Sequence, residues 1–96
     1  MSLFTRGPWV AEKTGRGIGP VSKKDDQSYG MVIPVAWVEF DPEVEIQAAN
    51  QQLIAAAPEL LEALQELLFL YEHDEGCRQI TEYKRAKAAV SKALGQ

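Results

Sequence analysis

The sequence predicts an α+β fold: a small antiparallel sheet of about three strands, followed by two or three helices packed on one of its faces. Three observations predict it. The first forty residues carry β-prone segments punctuated by Gly and Pro, without helical periodicity; from Asp41 onward apolar residues recur at helical spacing; and Pro58 interrupts that helical stretch, with helix-start residues just after it. The 96 residues fit a single domain, with a sheet half over 4–40 and a helical half over 41–95. A chain of this length buries only roughly 60–65% of its unfolded surface, so its core must be economical.

The elements follow in chain order. Pro8 to Thr14, "PWVAEKT", predicts a short strand, and Gly15 to Pro20, "GRGIGP", supplies glycines for a turn or bulge. "PVSKKDDQSYG" reads as a strand stub and a polar hairpin tip. Met31 to Phe40, "MVIPVAWVEF", is the strongest strand pattern, although Pro34 has no N–H and belongs at an edge or a bulge. At Asp41 the pattern turns helical: Asp41 suits the N-cap, Pro42 the first helical position, and Glu43 and Glu45 the positive end of the dipole. Val44, Ala48, Leu53, Ile54 and Ala57 give that helix an apolar side.

Pro58 removes the N–H that would bond back to Ile54, so the helix breaks there and restarts with Glu59 and Glu62 in the new first turn. The second helix carries Leu60, Leu61, Leu64, Leu67, Leu68 and Tyr71 as a wide apolar stripe, and Gly76 is expected to end it. Ile80, Tyr83, Val90 and Leu94 form a narrower stripe on a terminal helix that Gly95 closes. The alanines before Pro58 let backbones approach closely, which makes the break a device of folding rather than of ligand binding.

Charge is uneven. The net charge is −4, which argues against non-specific nucleic-acid binding, and every formal charge from Asp41 to Glu75 is acidic. Beyond Gly76 the sign reverses: Arg78, Lys84, Arg85, Lys87 and Lys92 accompany only Glu82. A basic terminal helix can therefore lie antiparallel to an acidic one, with exposed pairs worth about 0–1 kcal/mol each choosing the orientation. No apolar run approaches the length of a membrane span, and "MSLFTRGPWV" lacks the basic stretch, apolar run and small-residue site of a secretion signal, so a cytoplasmic protein is expected. The lone Cys77 has no internal disulfide partner, in keeping with a reducing compartment. The leading Met1 to Leu3 receives no functional weight.

Candidate chemistry is sparse. "HDEGC" sets His73 and Cys77 four apart, but zinc needs three or four convergent ligands, a nucleophilic cysteine needs a base and a pocket, and Gly76 breaks the register between them. An exposed loop is the plainer reading. "GRGIGP" offers glycines and Arg16, yet a phosphate cradle needs a helix N-terminus after a strand, and the following segment reads as strand. Trp9 and Trp37 have faces for stacking on a base, but in a small domain large aromatics serve more often as core or interface anchors. No catalytic residue, metal ligand or cofactor is expected.

The segment Ala49 to Leu68, "ANQQLIAAAPELLEALQELL", together with Thr5 to Trp9, "TRGPW", resembles a widespread group of small phage and prophage proteins. Their pattern is a T-P-G-P-W start, a few strands, then A-N-A-R-L-I-A-A-A-P-E-L-L-E-A-L. Ala49, Asn50 and the run from Leu53 to Leu64 match it, whereas Arg6 stands in place of the usual proline and Phe4 in place of a frequent histidine. The resemblance implies a phage accessory protein of the host bacterium's cytoplasm and carries over no catalytic residues. The recurrence of "GPW" in the pattern implies that Trp9 is an anchor, expected over the Leu60, Leu61 and Leu64 stripe with Gly7 permitting the turn.

Two function classes follow. The first is a non-enzymatic accessory protein that acts by binding a host or phage protein; the alternative is a protein that sequesters a small anionic ligand such as a nucleotide signal, through Arg6 and Arg16. A homo-oligomer, most simply a dimer, is expected because Met31, Ile33, Val35 and Trp37 lie on one side of a strand whose other side is also apolar. The competing cover for that side is a wrap by Leu3 to Trp9.

Overall fold

The glycine-rich segment and the apolar run that follows it are partners in one hairpin. In the computed structural model, which describes residues 4–96, β1 (Val10–Ala11), β2 (Gly17–Gly19) and β3 (Ala36–Trp37) form an antiparallel sheet in the order β1-β2-β3. Gly15 to Pro20, expected as a turn, thus contains the central strand, and all three residues of β2 are buried. The expected strand Met31 to Phe40 is regular only at Ala36–Trp37, with an isolated bridge from Val32 to Val21.

Pro34 is the reason for the interruption. Ile18 pairs with Ala36 and Val21 with Val32, so three steps along one strand face four along the other. The extra residue is a β-bulge, which accommodates a residue that cannot donate to the ladder. Around it the hairpin stays bonded: Val35 N–H donates to Ile18 O at 2.7 Å, Ile33 N–H to Pro20 O at 2.8 Å and Val38 N–H to Arg16 O at 2.9 Å. Gly19 lies opposite the bulge, where a Cβ would run into the Ile33 carbonyl oxygen. At the hairpin tip the Asp26 carboxylate accepts from the Ser28 hydroxyl and backbone N–H. Those two bonds, the hydroxyl's first, hold Asp26 below the ordinary carboxylate value against a small opposing effect of burial.

Helix α1 (Val44–Ala55) packs on β1 and β2. It starts later than its sequence implies, because the Asp41 carboxylate accepts from the Glu43 N–H, two residues on, at 2.8 Å and so forms an Asx turn instead of capping the helix. Its face on the sheet is not the expected apolar side. Val44 and Leu53 are exposed, and the buried positions are Gln51 and Ala55. Ile18, Val38 and Ala55 form the core cluster here, with Trp9, Ala11 and Ile54 packed against it. Trp9 is thus an anchor within the sheet's own core. Burying Ile18 completely contributes about 1.5–3 kcal/mol.

The helical break falls at Ala56, the C-cap of α1, and α2 (Ala57–Glu72) carries Pro58 as its second residue. Two compact units result, one of Phe4–Pro58 and one containing Glu59–Gln96. Gly7 meets Pro58 within the first: a Cβ at Gly7 would lie 2.9 Å from Pro58 Cβ. Gly7 itself precedes a cis peptide bond to Pro8.

In the second unit, α2 ends at Glu72 rather than at Gly76. Gly76 lies in a short helix, α3 (Glu75–Arg78), because the Asp74 carboxylate caps it by accepting from the N–H groups of Gly76 and Cys77. Helix α4 (Thr81–Ala93) buries Tyr83, and Gly95 follows it with a φ of +77°, the left-handed value that favours glycine. Leu68 and Phe69 of α2 share a groove of about 260 Å³ with Tyr83, Lys87 and Val90 of α4. The one ion pair among the described residues joins Arg78 to Glu75 within α3, at 3.6 Å.

Candidate functional site

The apolar run Met31 to Phe40 leaves several large side chains open on the β2–β3 hairpin. Val38 is buried and Val32 and Ala36 are half-buried, while Met31, Ile33, Val35 and Trp37 are between 41% and 67% exposed. Alternation would send successive side chains to opposite faces, but the extra residue at the bulge shifts it by one between Val32 and Ala36. Val38 is covered, but the open side chains on either side of the bulge are not. With Phe40 beyond them, these open side chains are large apolar groups of the kind that a partner covers. Of the competing cover, Leu3 lies outside the described residues, and Trp9 is spent on the Ile18 cluster.

The loop from Glu12 to Gly17 is the other place where polar groups converge. Gln51 Nε2 lies 3.1 Å from each of the carbonyl oxygens of Glu12, Gly15 and Gly17, and donates to all three. Glu12 folds its carboxylate over Gly17, where any Cβ would collide with it, and Glu12 Oε1 is buried without a hydrogen-bond partner. The chemistry of this loop is that of an acceptor cluster satisfied by an amide. A phosphate requires inward N–H donors instead, and the carbonyls and carboxylate gathered here repel an anion. Arg16 and Arg6 are both exposed, and neither lines the grooves formed among Glu62 to Ser91.

At "HDEGC" the side chains are committed to local structure. His73 packs edge-on against Phe69 with ring centroids 5.2 Å apart, and Asp74 caps α3. Cys77 is half-buried. Its thiol is pushed above the ordinary value by that burial, and further by a hydrogen bond to Asp74 and by the Asp74 charge. This is opposite to the lowered value of a nucleophilic cysteine. Among the described residues no three His, Cys, Asp or Glu side chains are grouped to hold a metal ion, and no helix is long and apolar enough to cross a membrane.

Gln51 is the structurally decisive polar residue that the sequence hides. An amide in an alanine-rich helix looks like any solvated position, and only the proximity of a glycine-rich loop shows what it does.

A family model described as Salmonella phage P22 protein Y8K6 matches residues 1–96. No curated protein and no solved structure matches the chain.

Proposed function

The chain belongs to this phage protein family, and on that premise we propose that it is a non-enzymatic accessory protein that acts by binding another protein, with a homodimer as its working unit. The observation that carries the reading is the open row of Met31, Ile33, Val35 and Trp37 on the hairpin. Water is excluded from such a row at little cost by a second copy of the same surface, since a two-fold interface is self-complementary. The alternative, sequestration of a small anion through Arg6 and Arg16, has less support, because the loop beside Arg16 presents acceptors.

Light scattering after size exclusion at low micromolar concentration tests the dimer. A mass of about twice 10.6 kDa is expected, falling to the monomer value for Val35→Asp or Trp37→Asp. A wild-type monomer refutes the dimer. Native mass spectrometry of the same material tests the alternative: a retained small anion, lost on Arg16→Ala, moves the assignment to ligand binding.

A further inference from the structure

Helix α2 is apolar on two sides, and only one of them is accounted for. Leu61, Leu64 and Leu68 are half-buried, and Leu68 lies in the groove shared with α4. The helix nevertheless contains no buried residue. Leu60, Ala63, Leu67 and Leu70 are all exposed, the three leucines by 50% to 66%. Their spacing of three, four and three residues is that of a coiled-coil seam, in which the apolar stripe is matched by that of a second helix.

The charge beside the seam identifies that helix. Glu59 and Glu66 each stand one residue before a seam leucine, at the positions that contact a partner's flank. Glu62 and Glu66 line a further groove of about 420 Å³ with Gln65, Phe69 and Leu70. Helix α2 carries no Lys or Arg, and none of its carboxylates is in an ion pair among the described residues. A second copy is a poor occupant. An antiparallel mate would set Glu59 and Glu66 against its own Glu66 and Glu59, and a parallel mate would leave all of them uncompensated.

We propose that the exposed face of α2 docks a basic amphipathic helix of a partner protein, with apolar residues at matching spacing and Lys or Arg on its flanks. The proposal rests on the binding reading above and uses a surface separate from the hairpin row, so the two fail independently. In this mode the leucines supply affinity, while the carboxylates select the sign of the partner and speed its approach.

The probe is a fluorescein-labelled peptide about three heptads long, with Leu at the seam positions and Lys on the flanks, beside an otherwise identical peptide with Glu on the flanks. Anisotropy should show the basic peptide binding at least about tenfold more tightly than the acidic one, with that advantage shrinking as NaCl rises from about 50 to 500 mM. Glu59→Lys/Glu66→Lys should reverse the preference between the peptides. Leu67→Asp should weaken both, and amide shifts in the labelled protein should concentrate between Leu60 and Tyr71. Equal binding of the two peptides, shifts confined to the hairpin or to α4, or retention of the preference in the charge-reversed variant overturns the proposal. So does a drop in oligomer mass on Leu67→Asp, which would make a second copy the occupant. Failure of the hairpin variants to change the mass bears only on the dimer.

Discussion

Replacing Gln51 separates a polar support from ordinary packing. Its Nε2 carries two hydrogens and lies 3.1 Å from three carbonyl oxygens, so at least one hydrogen is shared. Gln51→Leu takes that donor from all three carbonyls, although Gly17 O keeps the Glu12 N–H at 3.0 Å. A fully orphaned buried carbonyl costs about 1–3 kcal/mol; here Gly17 keeps one donor, and Glu12 and Gly15 are half-buried and recover part of the loss from water. The net cost is about 1–3 kcal/mol, out of a total stability of the order of 5–15 kcal/mol. In thermal terms each kcal/mol is worth about 4–8 °C at this size.

Gln51→Glu sharpens the test because shape is conserved and the donor becomes an acceptor. At pH 7 its carboxylate faces three carbonyl dipoles and the neighbouring Glu12 carboxylate, so it should destabilise at least as much as Leu. Protonated, it regains one O–H donor, so its pKa in the folded state lies above the ordinary value of about 4.3. A raised folded value means stability that is present below the unfolded pKa and is lost as pH rises through the folded one. The deficit relative to wild type should therefore shrink as pH falls toward 4. Urea denaturation followed by circular dichroism, with wild type measured at each pH, gives the difference. A Gln51→Glu variant within about 0.5 kcal/mol of wild type at pH 7 would refute the reasoning.

Two further outcomes are expected. Gly19→Ala drives a methyl into the Ile33 carbonyl and the backbone beyond it, which cannot turn aside, so thermal denaturation should show a loss of at least about 3 kcal/mol; Gly30→Ala meets no atom within 4 Å and incurs only left-handed strain, about 1–2 kcal/mol. Equal losses would contradict the close approach at the bulge. The Cys77 thiol, held above its ordinary value, should react with iodoacetamide at pH 8 several-fold more slowly than in the urea-unfolded chain, and Asp74→Asn should speed it; identical rates in the folded and unfolded chains would remove that account.

What the sequence made legible was local. The change from β-prone segments to helical spacing at Asp41, the break beside Pro58 and the stop at Gly95 all depend on residues within one or two turns, and the α+β order follows from them. Pro34 announced an edge or a bulge, because a missing N–H is visible without any neighbour, and the structure has the bulge. The exposure of Met31, Ile33, Val35 and Trp37 agrees with an apolar run too long to bury, but the bulge means simple alternation does not place them on one face. What depended on distant partners was not. "GRGIGP" resembles a turn until the Glu12 side chain and the Ile33 carbonyl are placed over Gly17 and Gly19, and only then are those glycines requirements of a central strand. Asp41 and Gly76 have the residue types of a cap and a stop, but an Asx turn and an Asp74 cap shift each boundary by a few residues.

These close approaches also explain how the chain can leave so much apolar surface open. The buried hydrophobic side chains among the described residues are Ile18, Val38, Ala55 and Tyr83, a small core by area. The sheet unit supplements it with contacts in which backbone meets backbone or side chain directly: Gly19 under the bulge, Gly17 under Glu12, Gly7 against Pro58, and the Gln51 amide among three carbonyls. Such contacts need small residues and one correctly placed amide rather than large apolar ones. The valines, leucines and tryptophan that a larger core would consume stay on the outside. Gly7 and Pro58 show the economy most directly. They come from the two segments that carry the phage-protein pattern, "TRGPW" and "AAAPELL", and their contact joins the beginning of the sheet unit to its end. The two segments thus share a role that involves no ligand: each supplies half of one close contact. The surfaces proposed to meet a partner lie elsewhere, on the hairpin and on α2.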